Sequence, residues 1–443
     1  MQTSKHFKRI ASIVVLAVYI VVAVTIVGNI LEPVSYAMYF NHDLDAIESE
    51  GRSVDMVFLG TSRVYRTFVP SIIEGELGMD CIINAATAVQ PICGTYYQLE
   101  DLVKRFHPKN VVIGLSWDTL LTDTARQRRL IVYDRLEGIT KLKYALTCFE
   151  FNEWLYLIDA YRFRNNFDVN KIRQVNESKQ ELIKSNYTLQ ISADEYGQEE
   201  YYADKGFVYS LNSMEAGSVP MKGAGVFSED EISEENKKYL DACVELCKEK
   251  GINLYLVVGP TSVMRLYNIE NYQEANDYYS DYARENGLIY HNLNYLKDRE
   301  SFLPDTLMFD YNHVNGEGAY VISELYAEIL KKDMEGIDTG EYFYDNLDAL
   351  KADVNRIVSV SAEISIEDAV AHIEIMSLQN DDITPYYQIE ISEDKENYTV
   401  LTEWSTESEY DIKVPGESGF SIRVRARTEN NEGIEAFHIY EFN

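Results

Sequence analysis

Apolar positions recur with two different periods along this chain, and the change of period divides it into three stretches. The first is one long apolar run. Ile10 to Leu31 holds 22 residues without a charge, enough at ~1.5 Å per residue to cross a bilayer as a helix. Residues 32–50 read as a linker and a short lead-in. After them, short β-branched runs alternate with helical stretches. Val54–Leu59, Cys81–Ala85, Asn110–Leu115, Ile252–Val258 and Leu288–Asn292 read as buried strands. Val69–Leu77, Tyr96–Phe106, Ser233–Lys250, Asn271–Glu285 and Gly316–Lys332 read as helices. The fold class this predicts is α/β: a doubly wound, flavodoxin-like sheet of five parallel strands with helices on both faces.

Residues 119–230 interrupt that alternation. Their first part is rich in aromatics and arginines: Trp154, Tyr156, Tyr161, Arg162, Phe163 and Arg164. Their second part is polar and tyrosine-rich, with Tyr187, Tyr196, Tyr201, Tyr202 and Tyr209. The stretch is too long for a plain loop and reads as an inserted helical cap. Its aromatics would either stack on sugar rings or pack a core of their own. From about residue 344 the period falls to two, in Arg356–Ile364, Ala369–Met376, Tyr386–Ser392, Tyr410–Val414 and Ser421–Ala426. A turn is expected at Asn430–Gly433. Short strands at this spacing predict a β-sandwich. The expected division is an anchor at 1–32, an α/β domain at 33–343 and a sandwich at 344–443.

Charge sharpens the first stretch. Lys5, Lys8 and Arg9 precede the apolar run, which favours a cytoplasmic amino end and an extracellular remainder. The expectation is a single-pass cell-membrane protein. A cleaved signal peptide is the other reading, but its apolar core is usually shorter and Ser35-Tyr36-Ala37 is a poor cleavage site. Three of the 40 Lys and Arg precede the run and none of the 73 Asp and Glu does, so everything beyond it carries net −36. That balance argues against nucleic acid and against anionic lipid surfaces as partners of the soluble part. The five cysteines are odd in number and loosely spaced, which suggests buried thiols more than bridges. No Cys or His cluster has metal-ligand spacing, so neither metal nor cofactor is expected.

The chemistry lies at the two ends of the α/β stretch. Asp310-Tyr311-Asn312-His313 sets a carboxylate three residues before an imidazole, and no other histidine has an Asp at that spacing. Far upstream, Gly60-Thr61-Ser62-Arg63 follows the first strand and precedes a helix. A strand, a glycine turn, a serine and a helix place a hydroxyl where open α/β sheets collect their functional groups. An imidazole oriented by a carboxylate can take that hydroxyl's proton.

The pair, in this order and setting, resembles the first and last blocks of the SGNH/GDSL hydrolase family over roughly residues 50–335. More narrowly it is similar to a membrane-anchored extracellular branch that moves acyl groups onto surface polysaccharides and teichoic acids. The resemblance implies catalysis by Ser62, His313 and Asp310. It implies a cell-surface glycan or acylated small molecule as substrate, with a membrane acyl-donor protein as a candidate partner. The middle blocks depart from the family. Ala86 stands at the second block's glycine, after Asn84, and Ser116 stands where the third block, here Gly114–Asp118, has its asparagine. Ala86, Ser116 and Asn84 are the expected oxyanion residues, and Arg63 and Asp118 the expected substrate contacts. The carboxyl-terminal strands resemble a fibronectin type III module.

Each motif also has a plain structural reading. Ser62 could cap the helix after it, Asp310 and His313 could be a turn pair, and Arg63 and Asp118 could bond neighbouring loops. Two functions stay open: an extracellular esterase or O-acyltransferase, and a degenerate hydrolase fold that binds polysaccharide or a protein partner.

Overall fold

The computed structural model describes residues 2–121, 125–187, 191–193, 199–214, 225–416, 418–429 and 435–442. Tyr196 and the expected turn at 430–433 lie outside the described residues.

The chain opens with helix α1 (Gln2–Leu31). Its segment Ala11–Leu31 is long and apolar enough to cross a membrane. Helix α2 (Tyr36–Ser49) follows, where a linker was expected. Its Ala37, Phe40, Leu44 and Ile47 are buried at helical spacing, so it is part of the core rather than a lead-in.

The α/β unit then runs β1 (Met56–Leu59), α3 (Ser62–Tyr65), α4 (Pro70–Leu77), β2 (Ile82–Asn84), α5 (Ile92–Phe106) and β3 (Asn110–Leu115). After β3 come helices α6 (Arg126–Tyr133), α7 (Gly138–Cys148), α8 (Asp159–Arg162) and α9 (Val169–Lys184), with a 3-10 turn at Phe151–Leu157. Strands β4 (Ile191–Ala193), β5 (Glu199–Asp204) and β6 (Phe207–Ser210) form an antiparallel sheet of their own. The insertion is therefore helical only in its first part, which corrects the expectation of an all-helical cap. Its strands are held from a distance: Arg66 pairs with Glu200, and Tyr202 donates to Asp43. A local pattern does not carry partners so far apart in sequence.

The α/β alternation resumes with α10 (Glu234–Lys250), β7 (Asn253–Val258), α11 (Val263–Tyr267), α12 (Tyr272–Asn286) and β8 (Ile289–Asn292). Helix α10 shows why these stretches fold as read. Ser233 caps its first turn by accepting from Asn236 N–H, and Leu240, Cys243, Val244 and Cys247 bury one stripe. Gly251, in the left-handed region, ends it. A short helix α13 (Arg299–Phe302), the hairpin β9 (Met308–Asp310) and β10 (His313–Val314), and the long helix α14 (Gly316–Met334) close the unit.

Strands β1, β2, β3, β7 and β8 form one parallel sheet in the order β2-β1-β3-β7-β8. Counted along the chain this is 2-1-3-4-5, the flavodoxin-like order, with its switch point between β1 and β3. Right-handed crossovers put α4 on one face and α5 on the other. The packing follows: α4 lies against α14, and α5 against α10. Met56–Leu59 and Val111–Ile113 are completely buried between those layers.

Helix α15 (Leu347–Asp353) sits on the α/β unit, with Leu347 and Leu350 packed among Leu266, Ile269 and Tyr272. The antiparallel region therefore begins at Ser359 rather than near 344. It holds β11 (Ser359–Glu367), β12 (Val370–Leu378), β13 (Tyr386–Ser392), β14 (Thr399–Val400), β15 (Glu409–Lys413), β16 (Phe420–Arg427) and β17 (Ala436–Phe442). They form two sheets, β11-β12-β15 and β14-β13-β16-β17. Alternate residues such as Val360, Ile373, Ile389, Ile422 and Val424 fill a second core. Arg356, bonded to Glu300 at 2.5 Å and Asp305 at 2.9 Å, ties this region to the α/β unit.

Candidate active site

Ser62 is the first residue of α3, directly beyond the carboxyl end of β1. Two glycines let the chain turn there. Gly60 has φ 137°, and a Cβ on it would lie 2.8 Å from the Gly114 carbonyl oxygen. A Cβ on Gly114 would lie 2.0 Å from a Val64 methyl. The ends of β1 and β3 thus approach at the switch point only because neither position carries a side chain.

From the other end of the unit, the β9–β10 hairpin delivers its pair. Asn315 caps α14 by accepting from Gly318 N–H and donates to Thr306 O at 3.0 Å. That clasps the hairpin to the base of the helix, two residues after His313. The Asp310 carboxylate faces His313 Nδ1, with its two oxygens 2.8 and 2.9 Å away. His313 Nε2 lies 2.8 Å from Ser62 Oγ. A carboxylate only accepts, so Nδ1 carries the proton and Nε2 accepts from the serine hydroxyl. Residues 251 positions apart thus form one chain of hydrogen bonds.

The surroundings suit proton transfer. Burial lowers the His313 pKa, against the upward pull of Asp310, and Arg66 and Arg63 push it down further. The imidazole therefore stays neutral at neutral pH. Burial works to raise Asp310, but its bonds from His313 and from Asn312 N–H, at 2.7 Å, hold it below the usual carboxylate range. Arg66 stands behind the pair, its guanidinium 4.4 Å above the Phe309 ring and paired with Glu200 of the insertion.

A cavity of about 190 Å³ opens at the serine. It is smaller than the ~300–1,000 Å³ of pockets that bury drug-sized ligands. Arg63, Ser116 and Asp118 line it along with Ser62 and His313. Arg63 donates to Asn312 Oδ1 at 3.1 Å and lies 3.6 Å from Asp118. Ser116 Oγ is 2.5 Å from Asp118 Oδ1 and 3.1 Å from Thr119 Oγ1. A larger depression of about 930 Å³, between α10 and α12, has walls of surface Lys, Asp and Glu with no nucleophile-base pair.

Asn84 and Ala86 are placed elsewhere. Asn84 is buried and donates to Val64 O and Phe68 O, bracing α3 and the turn that follows it. Ala86 directs its N–H at Asn84 Oδ1, 3.4 Å away, and does not line the cavity. The loop after β2 reaches the site with Val89, Gln90 and Pro91 instead. Val89 is half exposed and holds φ 47°, a strained setting for a β-branched residue. Sequence reasoning missed Val89, Gln90 and Thr119, which no motif marks. Asn312 was within reach of it, since it sits inside the Asp310–His313 spacing.

No protein-family model and no curated protein matches the chain. Among solved structures, it is similar to a GDSL-like lipase from Bacteroides thetaiotaomicron, at 12% identity and a TM-score of 0.29, over 67% of this chain and 99% of that one. A protein described as an acylhydrolase from Bacteroides fragilis aligns at 11% identity and a TM-score of 0.28, over 65% and 94%. Likeness at this level says nothing of this chain's chemistry, which has to be read from its own residues.

Proposed function

We propose that this chain is a membrane-anchored serine esterase or O-acyltransferase that handles short acyl esters of cell-envelope glycan outside the cell. The observation that carries the reading is the continuous Ser62–His313–Asp310 hydrogen-bond chain opening into a small cavity. His313 Nε2 takes the Ser62 proton as Oγ attacks the acyl carbonyl, and the carbonyl electrons move onto its oxygen. When the tetrahedral species collapses, the ester's alkoxide leaves with the proton from Nε2 and the acyl group stays on Ser62. Water or a sugar hydroxyl then attacks the acyl carbonyl and gives its proton to Nε2. On collapse the acyl–Oγ bond breaks, Ser62 Oγ takes that proton back from Nε2, and the acyl group leaves on the acceptor.

The developing oxyanion needs donors. The Ser62 N–H, in the first turn of α3, and the Ser116 hydroxyl are the groups proposed for it. Ser116 would have to turn from Asp118 toward substrate. Arg63, at the cavity wall, is proposed to orient the acceptor. The 3-plus-4 strand arrangement at the carboxyl end supports a fibronectin type III-like spacer.

The tie between Ser116 and Asp118 favours one rival, a degenerate surface protein that binds polysaccharide without turnover. Hydrolysis of acetyl esters by the full chain, with Ser62→Ala as control, separates the two. Turnover that disappears in the variant supports the enzyme, and equal background in both supports the binding protein.

A further inference from the structure

Residues 126–187 carry 12 Lys and Arg against 8 Asp and Glu, in a chain of net −33. This basic island also exposes large apolar side chains. Phe151 is 83% exposed, Phe167 74% and Val169 73%, and Trp154, Leu155 and Ile158 are exposed as well. Such side chains are normal singly on a soluble surface. Six within residues 151–169 form a patch of the kind that marks an interaction site.

The patch lies beside the end of α1. A Cβ built on Gly28 would be 2.8 Å from Asp159 Cβ, so α8 touches α1 there. Asn166 Nδ2 donates to Leu31 O at 2.9 Å, and Lys179 Nζ to Asn29 O at 2.6 Å. Ile158 and Phe167 are the chain neighbours of two of these contact residues. Helices α8 and α9 run along α1. Ala11–Val22 is exposed, whereas Ala23 and Val24 are partly covered and Gly28 is buried. Ala23 lies ~12 Å of helix rise inside Leu31, so one face of α1 is covered inside its apolar segment while residues 25–27 stay exposed.

Length then fixes the depth. Ala11–Leu31 has 21 residues, and about 20 are needed to cross the ~30 Å hydrocarbon core. With about one to spare, Leu31 sits close to the edge of that core, and the patch beside it sits at headgroup level. We infer that Phe151, Trp154, Leu155, Ile158, Phe167 and Val169 enter the phospholipid interface of the leaflet through which α1 leaves. Arg164 and Lys171 meet anionic headgroups there. This rests on reading α1 as the anchor. Tryptophan favours that layer, and cations near an anionic surface are attracted to it. The net charge of the soluble part opposes anionic lipid, and this basic face is proposed as the exception to it. The catalytic unit is thereby docked at a fixed tilt rather than swinging on a tether.

The test uses the full chain reconstituted in phosphatidylcholine vesicles, with and without phosphatidylglycerol. The chain has three tryptophans, Trp117, Trp154 and Trp404. Phospholipids brominated on their acyl chains should quench part of the emission, and Trp154→Phe should abolish that loss. The Phe151→Asp, Phe167→Asp double variant, which keeps Trp154, should weaken the quenching. A chain that resists carbonate extraction yet shows no Trp154 quenching overturns the docked face and leaves a membrane protein as its occupant. Release of the chain by carbonate overturns the anchor reading itself, and the docking proposal with it.

Discussion

His313 accepts a proton only while it is neutral, and its burial sets the pH range in which that holds. Its pKa lies below the ordinary value of ~6.5, so the neutral base persists into mildly acid solution and is lost as pH falls through the lowered pKa. The acid limb of kcat/KM against pH should therefore have its midpoint below 6.5. A midpoint above that value would mean that burial does not govern the imidazole. Asp310→Asn removes the group that pulls this pKa up and fixes the tautomer. It should lower kcat about 10³–10⁴-fold and move the limb further to acid. The bonded trio was legible in the sequence because a D-x-x-H spacing and a glycine-turn serine are local patterns. The roles expected of Asn84 and Ala86 were not, because what decides them is the nearby carbonyls of Val64 and Phe68.

At the scale of elements, the site depends on how closely β1 approaches β3. Gly114→Ala would drive a methyl into Val64 and should cost ~1–3 kcal/mol, read as a lower urea midpoint. Val64→Ala in the same chain should recover part of that loss. If the double variant is no better than the single, the close approach is not where the strain arises. Arg66→Ala would take the guanidinium away from the buried Glu200 carboxylate, which keeps its bond from the Tyr36 hydroxyl, and should cost ~3–5 kcal/mol. It should also loosen β5 and β6, which hydrogen exchange of their amides would report. Strands and helices of the sheet were readable to within a few residues because their apolar stripes are continuous. Strand β3 came out with the expected bounds, Asn110–Leu115. Helix α2 was missed because Asn41, His42 and Asp43 break its stripe into pieces that resemble a linker. Strands β5 and β6 were missed because long-range pairs to Arg66 and Asp43 hold them.

Over the whole molecule, the α/β unit and the sandwich each have a core, and Arg356 bonds across to Glu300 and Asp305. Val354 and Val358 pack with Tyr311, the residue after Asp310, so the joint reaches the turn that carries His313. Arg356→Ala should lower Tm and reduce turnover together. Lower Tm with unchanged kcat/KM would show that the joint only stabilises. The apolar amino-terminal helix, the α/β alternation and the short carboxyl-terminal strands were legible because the first is an unbroken apolar run and the other two differ in hydrophobic period. The docking of the insertion on α1 was not, because it rests on bonds from Asn166 to Leu31 O and from Lys179 to Asn29 O, 135 and 150 positions apart. The most direct measurement on the central claim is the mass of the full chain after exposure to a fluorophosphonate, with the adduct located by peptide mapping. One covalent adduct on Ser62, absent after His313→Ala, is the predicted result. An unmodified Ser62 from neutral to alkaline pH would contradict it.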